Sequence, residues 1–214
     1  MQPAYAALLT AAVSGAEALL TAAFAKALVS VRSDIQPEGD TTAQQTLALA
    51  LQCIDRFAPQ LCTAYPIALR DAHQQHTKSG FQLAGVSLTD LNIEQLELMD
   101  PTQVQERIER VRALQHILVV AGDNLAALDA HFAALEGMEQ VDPARNPLRP
   151  DVYLSALQSV MTRFKVPRVV RVLWLQHLSG PLATGLNSAY AQWRKNFHIS
   201  GASSAYQSVG GAAG

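Results

Sequence analysis

Two histidines are the best-spaced candidate metal ligands in the sequence. His73 and His76 stand three residues apart, so a helix would place them on one face, with Asp71 nearby. A zinc site needs three or four protein or solvent ligands, and the sequence places no other ligand close to this pair. We interpret the two residues as solvated histidines near a helix end. The sequence therefore predicts no metal site and no cofactor.

A second candidate for chemistry is the pair Glu106 and Glu109, because paired carboxylates can act as general acid and base. Arg107 and Arg110 interleave with them, however, and such alternation is typical of a solvated, ion-paired helix face. Neither a glycine-rich phosphate loop nor a Gly-x-Ser-x-Gly nucleophile elbow occurs. We predict that the protein is not an enzyme. The alternative is a catalytic site whose residues are scattered along the chain.

Four basic residues cluster where two helices are predicted to meet: Arg163, Lys165, Arg168 and Arg171. Cations near the end of the preceding helix would stabilise its dipole. The cluster could pair with acidic helices of the same chain or remain solvated, which we favour. The alternatives are contact with an acidic protein partner and, less favoured, binding of a nucleotide or nucleic acid. If the chain has a contact surface, these residues are our candidates for it.

The charges are unevenly distributed along the chain. Residues 1–139 contain 8 basic and 16 acidic side chains, whereas residues 140–214 contain 8 basic and 2 acidic ones. Such asymmetry can mark a contact surface, but we favour attraction between two parts of one domain. The net charge of −2 argues against a protein that binds polyanions overall.

The cysteines and the N-terminal apolar run bear on cellular location. Cys53 and Cys62 are nine residues apart in a predicted helix, which separates them by about 13 Å along its axis. A disulfide cannot span that distance, and two free thiols fit a reducing cytoplasm. Glu17 and Lys26 interrupt the apolar run, so we predict no membrane insertion. No basic residue precedes the run, so we predict no secretory signal.

Apolar residues recur at helical spacing along most of the chain, and no strand pattern occurs. This predicts an all-α bundle of about five or six helices with proline kinks. Pro59 and Pro66 should kink or break the second helix, and Gly180-Pro181 should bend or divide the last. Asp100 is the predicted N-cap of the helix that begins at Pro101. The predicted helical segments are 4–32, 42–75, 91–99, 101–136, 151–164 and 167–197.

We predict one helical domain over residues 1–199, followed by a flexible Gly/Ala/Ser tail or linker over 200–214. The clearest connector within the domain ends in Asn146-Pro-Leu-Arg-Pro150. We interpret these residues as a stiff turn before a helix, because turn chemistry explains each of them. The alternative is an exposed recognition loop.

Several stretches resemble a known family. Leu96-Glu-Leu-Met-Asp100, Asn146-Pro-Leu-Arg-Pro150 and the last helix are similar to the bacterial domain-of-unknown-function family 1631. The resemblance covers about residues 40–202, and Arg194 stands where the family often has Asn. The positions in the last helix that carry it are Leu186, Ala189, Tyr190, Trp193, Phe197 and Gly201. The resemblance implies a cytoplasmic, mainly helical part of a longer protein without an established activity.

The sequence thus favours a non-catalytic interaction or regulatory domain of a larger bacterial cytoplasmic protein. Its partner would be an acidic protein that contacts the basic cluster. One alternative is a sensor of a phosphate-bearing ligand, such as a nucleotide or cyclic dinucleotide, at the same residues. Another is self-association through the alanine-rich first helix, since alanine permits close approach of helices.

Overall fold

A computed structural model describes residues 3–35, 41–78 and 100–199 of the chain. These residues form five helices and one short 3-10 turn, with no strand among them. The predicted helical piece at 91–99 and the tail at 200–214 lie outside the described residues. The helices are α1 (Pro3–Ser33), α2 (Thr41–Lys78), α3 (Pro101–Leu135), α4 (Pro150–Arg163) and α5 (Arg168–Asn196), and the 3-10 turn is Pro143–Arg145.

The long α2 helix continues without a break through Pro59 and Pro66. Of the two predicted alternatives, a kink or a break, the break is therefore excluded at both positions, and Pro181 likewise lies inside an undivided α5. Each proline removes one backbone donor, but tertiary packing holds the helix on both sides of it. Leu61, Tyr65 and Leu69 of α2 are 0%, 1% and 0% exposed.

Cys53 and Cys62 of the same helix are free and buried.

Specific backbone caps define the ends of the helices. Asp100 caps α3 as predicted, because its carboxylate accepts a hydrogen bond of 2.9 Å from the Thr102 amide. The helix ends at Leu135, and Gly137, two residues later, has a φ of 68°. The Met138 amide then donates to the Ala133 carbonyl at 2.9 Å, a Schellman closure. Local sequence signals therefore set both ends of α3.

Contacts between the helices give the topology of the bundle. Asp100 pairs with Arg168, and Asn124 bonds Asn187, so α3 and α5 run in the same direction. Ser30 of α1 bonds His177 of α5, and Leu19 lies against Gly185, so α1 and α5 run in opposite directions. α4 packs mainly on α2.

One cluster of buried apolar side chains contains residues from all five helices. Trp174 of α5 lies at its centre, fully buried, with its ring edge-on to Phe24 at 5.2 Å. Its indole N–H donates to the Ala50 carbonyl of α2 at 3.3 Å. A single residue thus joins α1, α2 and α5 around the common core.

Among the described residues, two helices, α1 and α3, are long and apolar enough to span a membrane by length and composition. Buried helices in the core of a soluble protein meet the same criterion, so this property is weak evidence for a membrane span. The absence of membrane insertion stays a prediction.

Candidate functional site

The four basic residues singled out by the sequence lie together at the α4–α5 junction. α4 ends in a Schellman closure, in which the Val166 amide donates to the Met161 carbonyl and the Lys165 amide to the Thr162 carbonyl, both at 3.0 Å. Lys165 has a φ of 55°, a left-handed conformation that favours glycine. Val166 is 2% exposed and anchors the junction in the core. The closure therefore fixes the backbone conformation at the residues that carry the basic side chains.

Two of the four basic residues are paired with acidic residues at the start of α3. The Arg171 guanidinium lies 3.1 Å from Glu106 Oε1 and also donates to the Thr162 hydroxyl at 3.0 Å. Arg168 lies 3.8 Å from Glu106 Oε2 and 3.7 Å from Asp100 Oδ2. Only 13% of the Arg171 side chain is exposed, against 42% for Arg168. Arg171 thus mainly stabilises the fold, whereas Arg168 forms ion pairs within the fold and is also accessible at the surface.

The other two basic residues, Arg163 and Lys165, are exposed. Within residues 3–35, 41–78 and 100–199, neither forms an ion pair or a side-chain hydrogen bond. With the outer part of Arg168, they form a surface that we call the basic edge: Arg163, Lys165 and Arg168. The edge can attract an anion, because its charges are only partly neutralised by Glu106 and Asp100.

Glu106 is the partner of this site that the sequence interpretation missed. Glu106 and Glu109 are 6% and 5% exposed, so the expected solvated face is wrong. Glu109 is held by Arg112 at 2.8 Å and by Gln105 at 2.7 Å, whereas Glu106 faces Arg171. Both carboxylates are buried because α3 is covered on this side by other helices, and each has a cationic partner.

The uneven charge distribution is compensated in part inside the fold. Arg145 pairs with Glu136 at 2.7 Å, and Arg168 and Arg171 pair with α3 as described above. Basic residues of the C-terminal third thus neutralise acidic residues of α3. This is the attraction between two parts of one chain that the sequence favoured.

The corner before α4, Asn146 to Pro150, is a buried turn. Asn146 is 1% exposed; its side chain accepts from the Leu148 amide at 2.8 Å and donates to Asp129 at 2.7 Å. The Tyr190 hydroxyl donates to the Leu148 carbonyl at 2.6 Å. The alternative of an exposed recognition loop is wrong, since the polar groups of the turn are satisfied within the domain.

His73 and His76 lie in the interior and not in solvent, with 4% and 8% of their surfaces exposed. His76 Nε2 lies 2.8 Å from the Ala144 carbonyl, and the His73 ring packs edge-on against Tyr153. Burial, reinforced by His76, lowers the pKa of His73 to about 4. The pair ties α2 to α4 and to the 3-10 turn. No group of three metal-ligating side chains occurs in the part of the chain that the structure describes.

Comparison with known proteins gives one family match. A model described as the N-terminal domain of a protein of unknown function, DUF1631, matches residues 2–194. The match begins before α1 and ends two residues before the end of α5. No curated protein and no solved structure matches the chain.

Proposed function

Because the chain belongs to the DUF1631 family through its N-terminal domain, we propose that it is a non-catalytic interaction domain of a larger cytoplasmic protein. It binds an acidic protein partner through the basic edge. The observation that carries this proposal is the exposure of Arg163 and Lys165, which have no ion-pair partner among the described residues, beside two arginines that have one.

The geometry of the junction supports a contact surface. Val166 and the Schellman closure hold the backbone at Arg163 and Lys165 in one conformation. The cations therefore project from a fixed platform, which reduces the entropy that binding would cost. Arg168, the first residue of α5, extends the edge, and its attachment to Asp100 and Glu106 limits its motion.

The residue type at position 165 gives a second line of support. α3 ends in the same closure with glycine at the equivalent position, Gly137. A lysine in the left-handed conformation costs on the order of 1 kcal/mol more than glycine. α5 ends in the same closure with His198, so glycine is not required at this position, and a lysine there fits a role for its charge.

Affinity capture with the purified domain tests the proposal. The wild-type domain should retain a defined acidic protein from native extract, and Arg163→Glu/Lys165→Glu should lose it. Added salt should weaken the wild-type complex, because exposed charges are screened. Purified partner should then bind the wild-type domain directly, and charge reversal on the partner should restore binding to the double variant.

The matched control is Lys26→Glu/Arg70→Glu, which makes the same charge change at exposed positions of α1 and α2. This variant should retain the partner. If both double variants and the wild type retain the same proteins, the basic edge is not the contact surface and the proposal fails.

The N-terminus of α5 favours one alternative, a phosphate-bearing ligand. Pro167 precedes the helix, and among the described residues no side chain caps its first amide groups. Free amides at a helix start attract anions, and Arg168 lies beside them.

Thermal-shift measurements with ATP, GTP and cyclic di-GMP test whether a phosphate-bearing ligand binds there. A ligand at 100 times its dissociation constant should stabilise the fold by about 2.7 kcal/mol. An unchanged unfolding temperature with all three ligands would exclude this alternative.

The outward face of α1 favours self-association as a further alternative. Several of its exposed residues are small, among them Ala18, Ala22 and Ala25, and Val29 is 67% exposed. Such a surface permits close approach of a second helix. Sedimentation at several concentrations should show a dimer that Ala22→Lys disrupts, and monomers throughout would exclude this role.

A further inference from the structure

The starts of α3 and α5 lie side by side, and an ion pair joins them. Asp100, the N-cap of α3, uses its two carboxylate oxygens for different contacts. Its Oδ1 accepts the hydrogen bond of 2.9 Å from the Thr102 amide. Its Oδ2 lies 3.7 Å from the guanidinium of Arg168, the first residue of α5. The residue that begins α3 is therefore also a partner of one cation of the basic edge.

Both side chains of this ion pair are accessible to solvent. The Asp100 side chain is 55% exposed, and the Arg168 side chain is 42% exposed. Exposed ion pairs add little to stability, because water solvates the separated charges nearly as well. Arg168 can therefore exchange the Asp100 carboxylate for a carboxylate of another molecule at little cost to the fold.

The release of Arg168 leaves no buried charge without a partner. Arg168 Nε also lies 3.8 Å from Glu106, whose side chain is only 8% exposed. Arg171 lies closer to Glu106, at 3.1 Å, and its side chain is 13% exposed. Arg171 thus keeps the buried carboxylate paired, and removal of its only remaining cation would be costly. Arg168 is the arginine of the junction that the fold can release.

We propose that Asp100 and the acidic partner compete for Arg168, so that partner binding is coupled to the start of α3. In the free domain Arg168 pairs with Asp100. In the complex it pairs with a carboxylate of the partner, and Asp100 caps α3 without a cation beside it. The inference rests on the proposed function and adds the regulation of the basic edge. The coupling is reciprocal: Asp100 weakens partner binding by the factor by which the partner weakens the pairing of Arg168 with Asp100.

A hexaglutamate peptide is the probe, and its dissociation constant is measured by titration at low salt, where exposed charges are least screened. Asp100→Asn removes the competing charge, and asparagine remains a good N-cap. This variant should bind the peptide about two- to five-fold more tightly. The matched control is Asp142→Asn, since Asp142 caps the 3-10 turn by the same contact, a bond of 2.9 Å from the Ala144 amide, at the opposite end of α3. It should leave the affinity unchanged.

A double-mutant cycle separates competition for Arg168 from general repulsion between Asp100 and the peptide. Arg168→Gln removes the contested cation, so Asp100→Asn in that background should leave the affinity nearly unchanged. The Thr102 amide, which is bonded to Asp100, gives a second readout. Its signal in a ¹H–¹⁵N spectrum should shift as the peptide saturates the wild type, whereas the signal of the Ala144 amide should not move.

Failure of this inference differs from failure of the proposed function. If the peptide does not bind, or binds Arg163→Glu/Lys165→Glu as tightly as the wild type, the basic edge takes no acidic chain and both fail. If that double variant loses the peptide but Asp100→Asn has no effect, or the same effect with and without Arg168, only the competition is overturned. An unmoved Thr102 signal at saturation likewise overturns the competition.

Discussion

The two ends of α4 have opposite characters. Before the helix, the Asn146–Pro150 corner is buried, and Asp129, Asn146 and Tyr190 satisfy one another or the backbone. After the helix, the α4–α5 junction exposes Arg163 and Lys165, which have no partner in the part of the chain that the structure describes. Both ends have a fixed backbone. The polar groups of the corner are hydrogen-bonded inside the domain, whereas two cations of the junction are exposed to solvent.

This difference separates polar residues that support stability from those available for binding. A buried hydrogen-bonded group is costly to remove, because its partner is left unsatisfied. An exposed cation contributes little to stability, because water solvates it in either state. Substitutions at the corner should therefore change stability, and substitutions at the outer junction should change binding.

The largest effect is expected at the corner. Asn146→Ala removes the bond to the Leu148 amide and leaves the buried Asp129 carboxylate without its amide donor. The free energy of unfolding should fall by about 3 to 4 kcal/mol. Urea denaturation measures this change. A loss within experimental error would show that the buried network does not hold the corner.

The pH dependence of stability is the next effect. Burial raises the pKa of Asp129 from 3.8 to about 6. The folded state then binds more protons than the unfolded state, so this contribution is present below pH 4 and lost as the pH rises through 6. The pKa of His73 is lowered from 6.5 to about 4, which gives the opposite sign. Its contribution is present above pH 6.5 and lost as the pH falls through 4.

The two residues should therefore oppose each other between pH 4 and pH 6, with contributions of about 3 kcal/mol each. In Asp129→Asn, unfolding free energies should rise with pH across this window. In His73→Phe, they should fall with pH. The wild type should change less than either variant, and parallel pH profiles for all three would refute the opposition.

Within the junction, the buried Arg171 and the exposed Arg163 should differ in how much they contribute to stability. Arg171→Ala removes the nearest cation from the buried Glu106 carboxylate and should cost about 2 to 3 kcal/mol of stability. Arg163→Ala should change stability by less than about 0.5 kcal/mol. Thermal unfolding of the two variants gives this comparison. Equal losses would mean that Arg163 also has a structural partner.

The smallest effect should be a gain. Lys165→Gly relieves the left-handed strain at a position where α3 has Gly137, and stability should rise by about 0.5 to 1 kcal/mol. The same variant should bind the acidic partner more weakly, because one cation of the basic edge is gone. Unchanged binding would remove Lys165 from the proposed surface.

The sequence predicted the helices well because helical spacing of apolar residues is a local signal. The Asp100 cap is also a local signal, and it is present in the structure. The parallel course of α3 and α5 could not be predicted, because it depends on contacts between residues more than 60 positions apart, such as Asn124 and Asn187.

The sequence predicted the basic cluster. It did not predict which of its residues are ion-paired inside the fold and which are exposed. The charge alternation around Glu106 and Glu109 suggested solvent on that face. One signal pointed the other way: Glu106, Glu109, Ala113 and Ile117 lie on one face of a helix. The apolar continuation of that face predicts burial, and buried carboxylates require cationic partners. Which cations supply them depends on tertiary packing.

The most direct test combines capture of the acidic partner with urea unfolding of the same Arg163→Glu/Lys165→Glu protein. The proposed division predicts that capture is lost while the unfolding free energy stays within about 0.5 kcal/mol of the wild type. Capture equal to that of the wild type would contradict the binding role of the basic edge. Loss of capture together with a large loss of stability would contradict the separation between the two ends of α4.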